Sequence, residues 1–182
     1  MLLFLMIISL TVGCMEEDKK TNGDEDPSVL LTVTFGDYQT NYTLEEIEAL
    51  DSYTGTGGYI KSNSVISDIN EYTGVRITTL LEEIPNIPDN YNVSVISSDG
   101  WTANYTKNET LGFVDVYNET GEIIQNKTAV MILAYKEDGL YYSEIDPENE
   151  TGPLRVAFVD DNAITSSKLW SKMVVTIKII PL

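Results

Sequence analysis

Short stretches of alternating apolar and polar residues recur along most of the chain, and their period of two predicts β-strands. "VLLTVTF" is followed, after Gly36-Asp37, by "YQTNYT", and "YNVSVI" is followed, after "SSDG", by "WTANYT". "FVDVYN" and "EIIQ" flank the turn Glu119-Thr120-Gly121, and "AVMILAYKE", "LRVAFVD" and "KMVVTIKII" are rich in β-branched residues. Two segments change period. Thr43-Leu44-Glu45-Glu46 has the capping-box pattern and predicts a helix running to about Leu50. In "RITTLLEEI", Ile77, Leu80, Leu81 and Ile84 fall on one helical face, and Pro85 stops the helix. The expected fold class is therefore α+β, mostly mixed or antiparallel sheet with two short helices, in a single domain over residues 29–182.

The N-terminus departs from this pattern. "MLLFLMIISLTVG" is an apolar run of 13 residues, too short to span a bilayer core of about 30 Å as a helix, which predicts a signal peptide over 1–13. Gly13 precedes Cys14, the chain's single cysteine, and the pair resembles a lipoprotein signal in which the thiol takes a lipid. Thr11 stands where that pattern has leucine, and no Lys or Arg precedes the apolar run. Residues 14–28, "CMEEDKKTNGDEDPS", then read as an acidic, turn-rich tether holding the domain away from a membrane.

Composition narrows the chemistry by omission. The chain has no histidine, which excludes zinc hydrolases built on His, haem sites with a His ligand, and Ser-His-Asp or Cys-His catalysis. With Cys14 lipidated, no thiol remains for a disulfide. The net charge of −18 repels nucleic acid, and only Arg76 and Arg155 could contact phosphate bidentately, so no nucleic-acid partner is expected. The acids are scattered, as on a solvated surface; "VDDNAITS" and "EIDPENETGP" do not follow the D-x-[DN]-x-[DN]-G calcium-loop pattern.

N-x-[ST] triplets begin at Asn41, Asn92, Asn104, Asn108, Asn118, Asn126 and Asn149. At this density they predict exposed turns open to glycosylation and an extracellular location, anchored at the cell-membrane surface through Cys14, as in an archaeal surface lipoprotein.

"GTGGYIKS", Gly55 to Ser62, is one residue short of the phosphate-binding pattern G-x-x-x-x-G-K-[ST]. Ile60 stands where glycine is needed for the backbone to curl round a phosphate, and neither flank supplies the strand or helix such a loop joins. A glycine-rich turn between short strands is the expected reading.

The order of landmarks carries a resemblance. Tyr72-Thr73-Gly74-Val75 before the second helix, Ser98-Asp99-Gly100, Leu133-Ala134-Tyr135, Gly152-Pro153-Leu154-Arg155, and Trp170 opening the last strand make residues 30–180 resemble the sulfite-oxidase-fold molybdopterin-binding domain, particularly its small archaeal stand-alone relatives. The resemblance implies a molybdenum ion held by a pterin dithiolene and one protein cysteine, upstream of the segment matching Tyr72–Val75. Residues 52–71 contain no cysteine. Ser62 and Ser64 lie in that interval, but a hydroxyl is a harder ligand and would change the redox chemistry. Arg76 and Arg155 fall in segments read as helix and strand, so the cations that grip the pterin phosphate have no clear match.

The expectation is therefore a fold kept and a chemistry lost: a non-catalytic surface domain without cofactor, binding a small ligand or partner protein. Its cleft would be lined by Gly57, Gly58, Tyr59, Lys61, Ser62, Ser64, Trp101 and Tyr135. The alternative is a molybdopterin-dependent oxidoreductase without a cysteine ligand.

Overall fold

The computed structural model describes residues 28–67, 69–148 and 151–182. Cys14, the signal and tether segments up to residue 27, and Asn149 lie outside the described residues. The strands are β1 (Leu31–Phe35), β2 (Tyr38–Tyr42), β3 (Ser52–Ile60), β4 (Asn70–Arg76), β5 (Tyr91–Ser97), β6 (Thr102–Thr106), β7 (Val130–Glu137), β8 (Leu140–Tyr141), β9 (Arg155–Val159), β10 (Ala163–Ser166) and β11 (Val174–Pro181). The helices are α1 (Leu44–Glu48), α2 (Ile77–Glu82), α3 (Lys107–Thr110) and α4 (Tyr142–Ile145), with a 3₁₀ turn at Ser167–Leu169.

The strands form two mixed sheets. The first runs β2-β1-β11-β5-β6, antiparallel except for the β1–β11 pair. The second runs β10-β3-β4-β7-β8, with β9 also paired to β7 and the β10–β3 pair parallel. The main core lies between them: Leu31, Val33, Val93, Val95 and Ile177 from the first sheet meet Val75, Leu133, Val156 and Phe158 from the second. Ile77, Leu80 and Leu81 of α2 bury their predicted stripe in the same core. Helix α1 begins at the predicted capping box, Thr43 Oγ1 accepting from Glu46 N–H and Thr43 N–H donating to the Glu46 carboxylate.

The second sheet is covered on both faces. Tyr72, Ile132, Ala134, Tyr142, Ala157, Val159 and Trp170 make a smaller core on the side away from the main one. Strand β9 is consequently buried at every position, with Val156 and Phe158 in one core and Ala157 and Val159 in the other.

The glycine-rich stretch is not a turn. Gly55, Gly57 and Gly58 lie within β3, a strand of nine residues paired with both β4 and β10. The second sheet curls until β9 meets β3: Thr56 N–H donates to Asp160 O and Asp160 N–H to Thr56 O, at 2.8 and 3.1 Å. A side chain at Gly57 would place its Cβ 2.5 Å from Phe158 O, so the crossing backbone requires glycine there.

Other expectations need correction. "FVDVYN" and "EIIQ" are not strands; they share a single bridge, Tyr117 to Ile123. There the Asn118 side chain accepts from Thr120 N–H and Glu122 N–H and closes a compact loop in place of a ladder. Helices α3 and α4 were not foreseen. Trp170 ends the 3₁₀ turn and lies outside β11. Asn41, Asn92 and Asn104 sit in strands, not turns. The register places all three on the outer face of the first sheet.

Candidate functional site

A cavity of about 200 Å³ opens on the outer side of the second sheet, lined by Tyr59, Ser67, Asn70, Tyr72, Glu137, Arg155 and Lys172. Strands β3, β4, β7 and β9 supply five of these side chains, Tyr59, Asn70, Tyr72, Glu137 and Arg155. Ser67 comes from the β3–β4 connection and Lys172 from the residues before β11.

Arg155 is the central group. It opens β9 on the face that carries Ala157 and Val159, so strand alternation drives its side chain into an otherwise apolar layer. Only 6% of its surface is exposed. Its Nη1 donates to Glu137 Oε2 at 3.0 Å, and Asn70 Nδ2 donates to the other carboxylate oxygen, Oε1, at 2.5 Å. Aromatic rings enclose the guanidinium, with the Tyr72, Tyr142 and Trp170 centroids 5.5, 5.8 and 5.3 Å from Cζ. Such placement offsets part of the cost of burying the charge.

The enclosure is itself braced. Trp170 Nε1–H donates to the fully buried Thr165 Oγ1 at 2.9 Å, and the Trp170 ring tilts against Tyr59 and Tyr72 at 5.4 and 5.3 Å. Ser67 Oγ accepts from Tyr59 N–H at 2.8 Å, which anchors the β3–β4 connection at the cavity.

Electrostatics keep the site's phenols neutral. Burial pushes the Tyr72 and Tyr142 hydroxyls well above their ordinary pKa, and the pull of Arg155 in the other direction only partly offsets it. Burial also works against the Arg155 charge, but Tyr142, Tyr72 and Glu137 outweigh it and leave the guanidinium more firmly protonated than usual. Two buried polar atoms, Arg155 Nε and the Tyr142 hydroxyl oxygen, reach no hydrogen-bond geometry with any described residue.

Of the eight residues expected to line a cleft, the structure brings Tyr59 alone to this cavity. Gly57 and Gly58 are buried within β3. Lys61, Ser62 and Ser64 are exposed in the turn after it, where Lys61 N–H donates to Val65 O. Trp101 is 61% exposed beside the β5–β6 hairpin, and Tyr135 belongs to the main core. Sequence reasoning missed Ser67, Asn70, Tyr72, Glu137 and Lys172, and read Arg155 as framing. A signal existed: a lone arginine inside the apolar run Leu154–Val159 requires a buried partner, and "AVMILAYKE" ends on an acid.

A larger groove of about 410 Å³ lies beside Phe113 and Tyr117, but no side chain lining it is buried. The Arg155 cavity, with a buried charge on its wall, is the better candidate for recognition.

No family model matches the chain, and no curated protein matches it. Among solved structures the chain is similar to the sulfane dehydrogenase SoxCD from Paracoccus pantotrophus, with a TM-score of 0.58 and 14% sequence identity over 82% of this chain. It spans 37% of the length of that protein. At this identity the likeness is one of fold, and the expected α+β, sulfite-oxidase-like architecture stands, with four short helices among the described residues in place of two.

Proposed function

We propose that this is the folded domain of an exported lipoprotein, anchored at the cell surface through Cys14, that binds a small polar ligand in the Arg155 cavity without redox chemistry. Arg155 carries the reading: it is 6% exposed, lies on a cavity wall, and has its Nη1 committed to Glu137. A purely structural ion pair has no need of an adjoining cavity. The surface location rests on the apolar run before Cys14 and on three N-x-[ST] asparagines sharing one sheet face.

The residues present do not fit a molybdopterin group. Residues 28–182 contain no thiol, and Ser62 and Ser64 are exposed in a turn. Gly57 cannot carry a side chain, because its Cβ would meet Phe158 O. At about 200 Å³ the cavity is smaller than the roughly 300–1,000 Å³ of sites that hold drug-sized molecules. A molybdopterin-dependent oxidoreductase without a cysteine ligand is the competing reading, and it needs a different donor set from the one at Arg155.

Native mass spectrometry with elemental analysis, on protein purified from its own source, tests both. The expected result is a small-molecule adduct lost on unfolding, with no molybdenum or tungsten. A stoichiometric pterin and metal would overturn the proposal. For the anchor, Cys14→Ser is expected to move the protein from the detergent phase to the aqueous phase on partitioning.

A further inference from the structure

The chemistry of the ligand follows from which hydrogen-bonding groups the cavity leaves unspent. Glu137 is satisfied at both oxygens, by Arg155 Nη1 and Asn70 Nδ2. The aromatic enclosure of Tyr72, Tyr142 and Trp170, which could have received a cationic ligand, is filled by the protein's own guanidinium. The groups left open are donors. Arg155 commits Nη1 to Glu137 and interacts with the Tyr142 hydroxyl, and no hydrogen bond from its Nη2 to a described residue is formed. Lys172 is exposed at the rim and forms no ion pair among the described residues. Ser67 uses its oxygen as an acceptor for Tyr59 N–H, which leaves its hydroxyl hydrogen to donate.

Charge points the same way. Arg155 and Lys172 against Glu137 give the lining residues a net charge of +1, in a chain of net charge −18. A local positive site on so acidic a molecule favours entry of a single negative charge. Guanidinium presents a planar fork that matches a planar carboxylate.

Resting on the reading that this cavity binds a ligand, we infer that the ligand is a small organic monocarboxylate, its carboxylate received by Arg155, Lys172 and the Ser67 hydroxyl.

Isothermal titration of the full chain with acetate, lactate and benzoate, and with acetamide and benzamide as neutral isosteres, tests this. At least one carboxylate is expected to bind, with its amide at least about tenfold weaker, since a charge-assisted hydrogen bond contributes about 1.5–3 kcal/mol and 1.4 kcal/mol is tenfold. Sulfate and phosphate are expected to bind more weakly than the best carboxylate. Arg155→Met leaves Glu137 buried without its partner and risks the fold, so Lys172→Ala is the companion variant. It should unfold at the wild-type temperature while weakening carboxylate binding about two- to fivefold, the range of a partly solvated charge contact.

An amide binding as tightly as its acid, or Lys172→Ala binding unchanged, would overturn the carboxylate assignment and leave a ligand cavity of another class. Tighter binding of sulfate or phosphate would also overturn it, in favour of an inorganic anion site. A broad screen of neutral, cationic and anionic small molecules in which nothing binds would overturn the ligand-binding reading itself.

Discussion

Arg155 and Glu137 form an ion pair at 3.0 Å with side chains only 8% and 17% exposed, joining β9 to the end of β7 across a layer otherwise made of aromatic and aliphatic groups. Neither charge is separable from the other. Removing one partner strands an uncompensated charge, whereas removing both removes the desolvation cost as well.

Glu137→Ala should therefore destabilise the domain by about 3–5 kcal/mol in urea unfolding, and the double change Glu137→Leu with Arg155→Met should recover most of that loss. A single substitution costing under about 1 kcal/mol would mean that water reaches the guanidinium freely.

Gly57→Ala tests the closure of the second sheet. With Phe158 O 2.5 Å from the added Cβ, β9 must move away from β3. The expected loss is about 1–3 kcal/mol. Hydrogen exchange should show the Thr56 and Asp160 amides, which pair these two segments, losing protection first. Unchanged protection would refute the close approach.

Trp170 and Thr165 form a buried hydrogen-bonded pair at 2.9 Å. Thr165→Val alone leaves the indole N–H without a partner and should cost about 1–3 kcal/mol. Combined with Trp170→Phe, the two losses should sum to less than additively in a double-mutant cycle. Strict additivity would show that the bond contributes nothing.

Alkaline pH should unfold the protein in a defined window. Burial pushes the Tyr105 hydroxyl up to about 12, its bond with Ser171 lowering and the Glu109 charge raising the value in smaller measure. A tyrosine raised in the folded state holds its proton more tightly there than in the unfolded chain, whose value is about 10. Its contribution is complete below about pH 10 and is lost as pH climbs towards 12. Tyr42, Tyr53, Tyr72, Tyr91, Tyr135 and Tyr142 are shifted in the same direction, burial being the first cause for each. Urea unfolding between pH 8 and 11.5 should thus be flat at first and then fall, with Tyr105→Phe reducing the slope. A stability that rises above pH 10 would contradict this account.

Legibility along the chain followed how local each constraint is. Strands β1, β5 and β11 were readable because one buried face imposes a period of two, β7 and β9 because burial on both faces gives continuous apolar runs, and α2 because Ile77, Leu80 and Leu81 impose 3.6. Helix α3 was readable but overlooked: Thr106-Lys107-Asn108-Glu109 repeats the capping box seen at Thr43, and both of its reciprocal bonds form. Strand β3 was not readable. Three glycines in nine residues have the composition of a turn, and only the passage of β9 alongside explains why a side chain is excluded at Gly57.

The sequence by itself determined the α+β class, the apolar N-terminal run with its cysteine, and the absence of any histidine or of a thiol in residues 28–182. Those are properties of composition and of short-range periodicity, which survive without knowing which strand lies beside which. Only the tertiary structure decided where a ligand could sit. Tyr59, Tyr72, Glu137, Arg155 and Trp170 are spread over more than a hundred residues, from 59 to 170, and meet because β4, β7 and β9 pair side by side. A buried arginine is tolerable only with its acid and its aromatic walls in place, and those partners are chosen by strand register, a relation between distant segments.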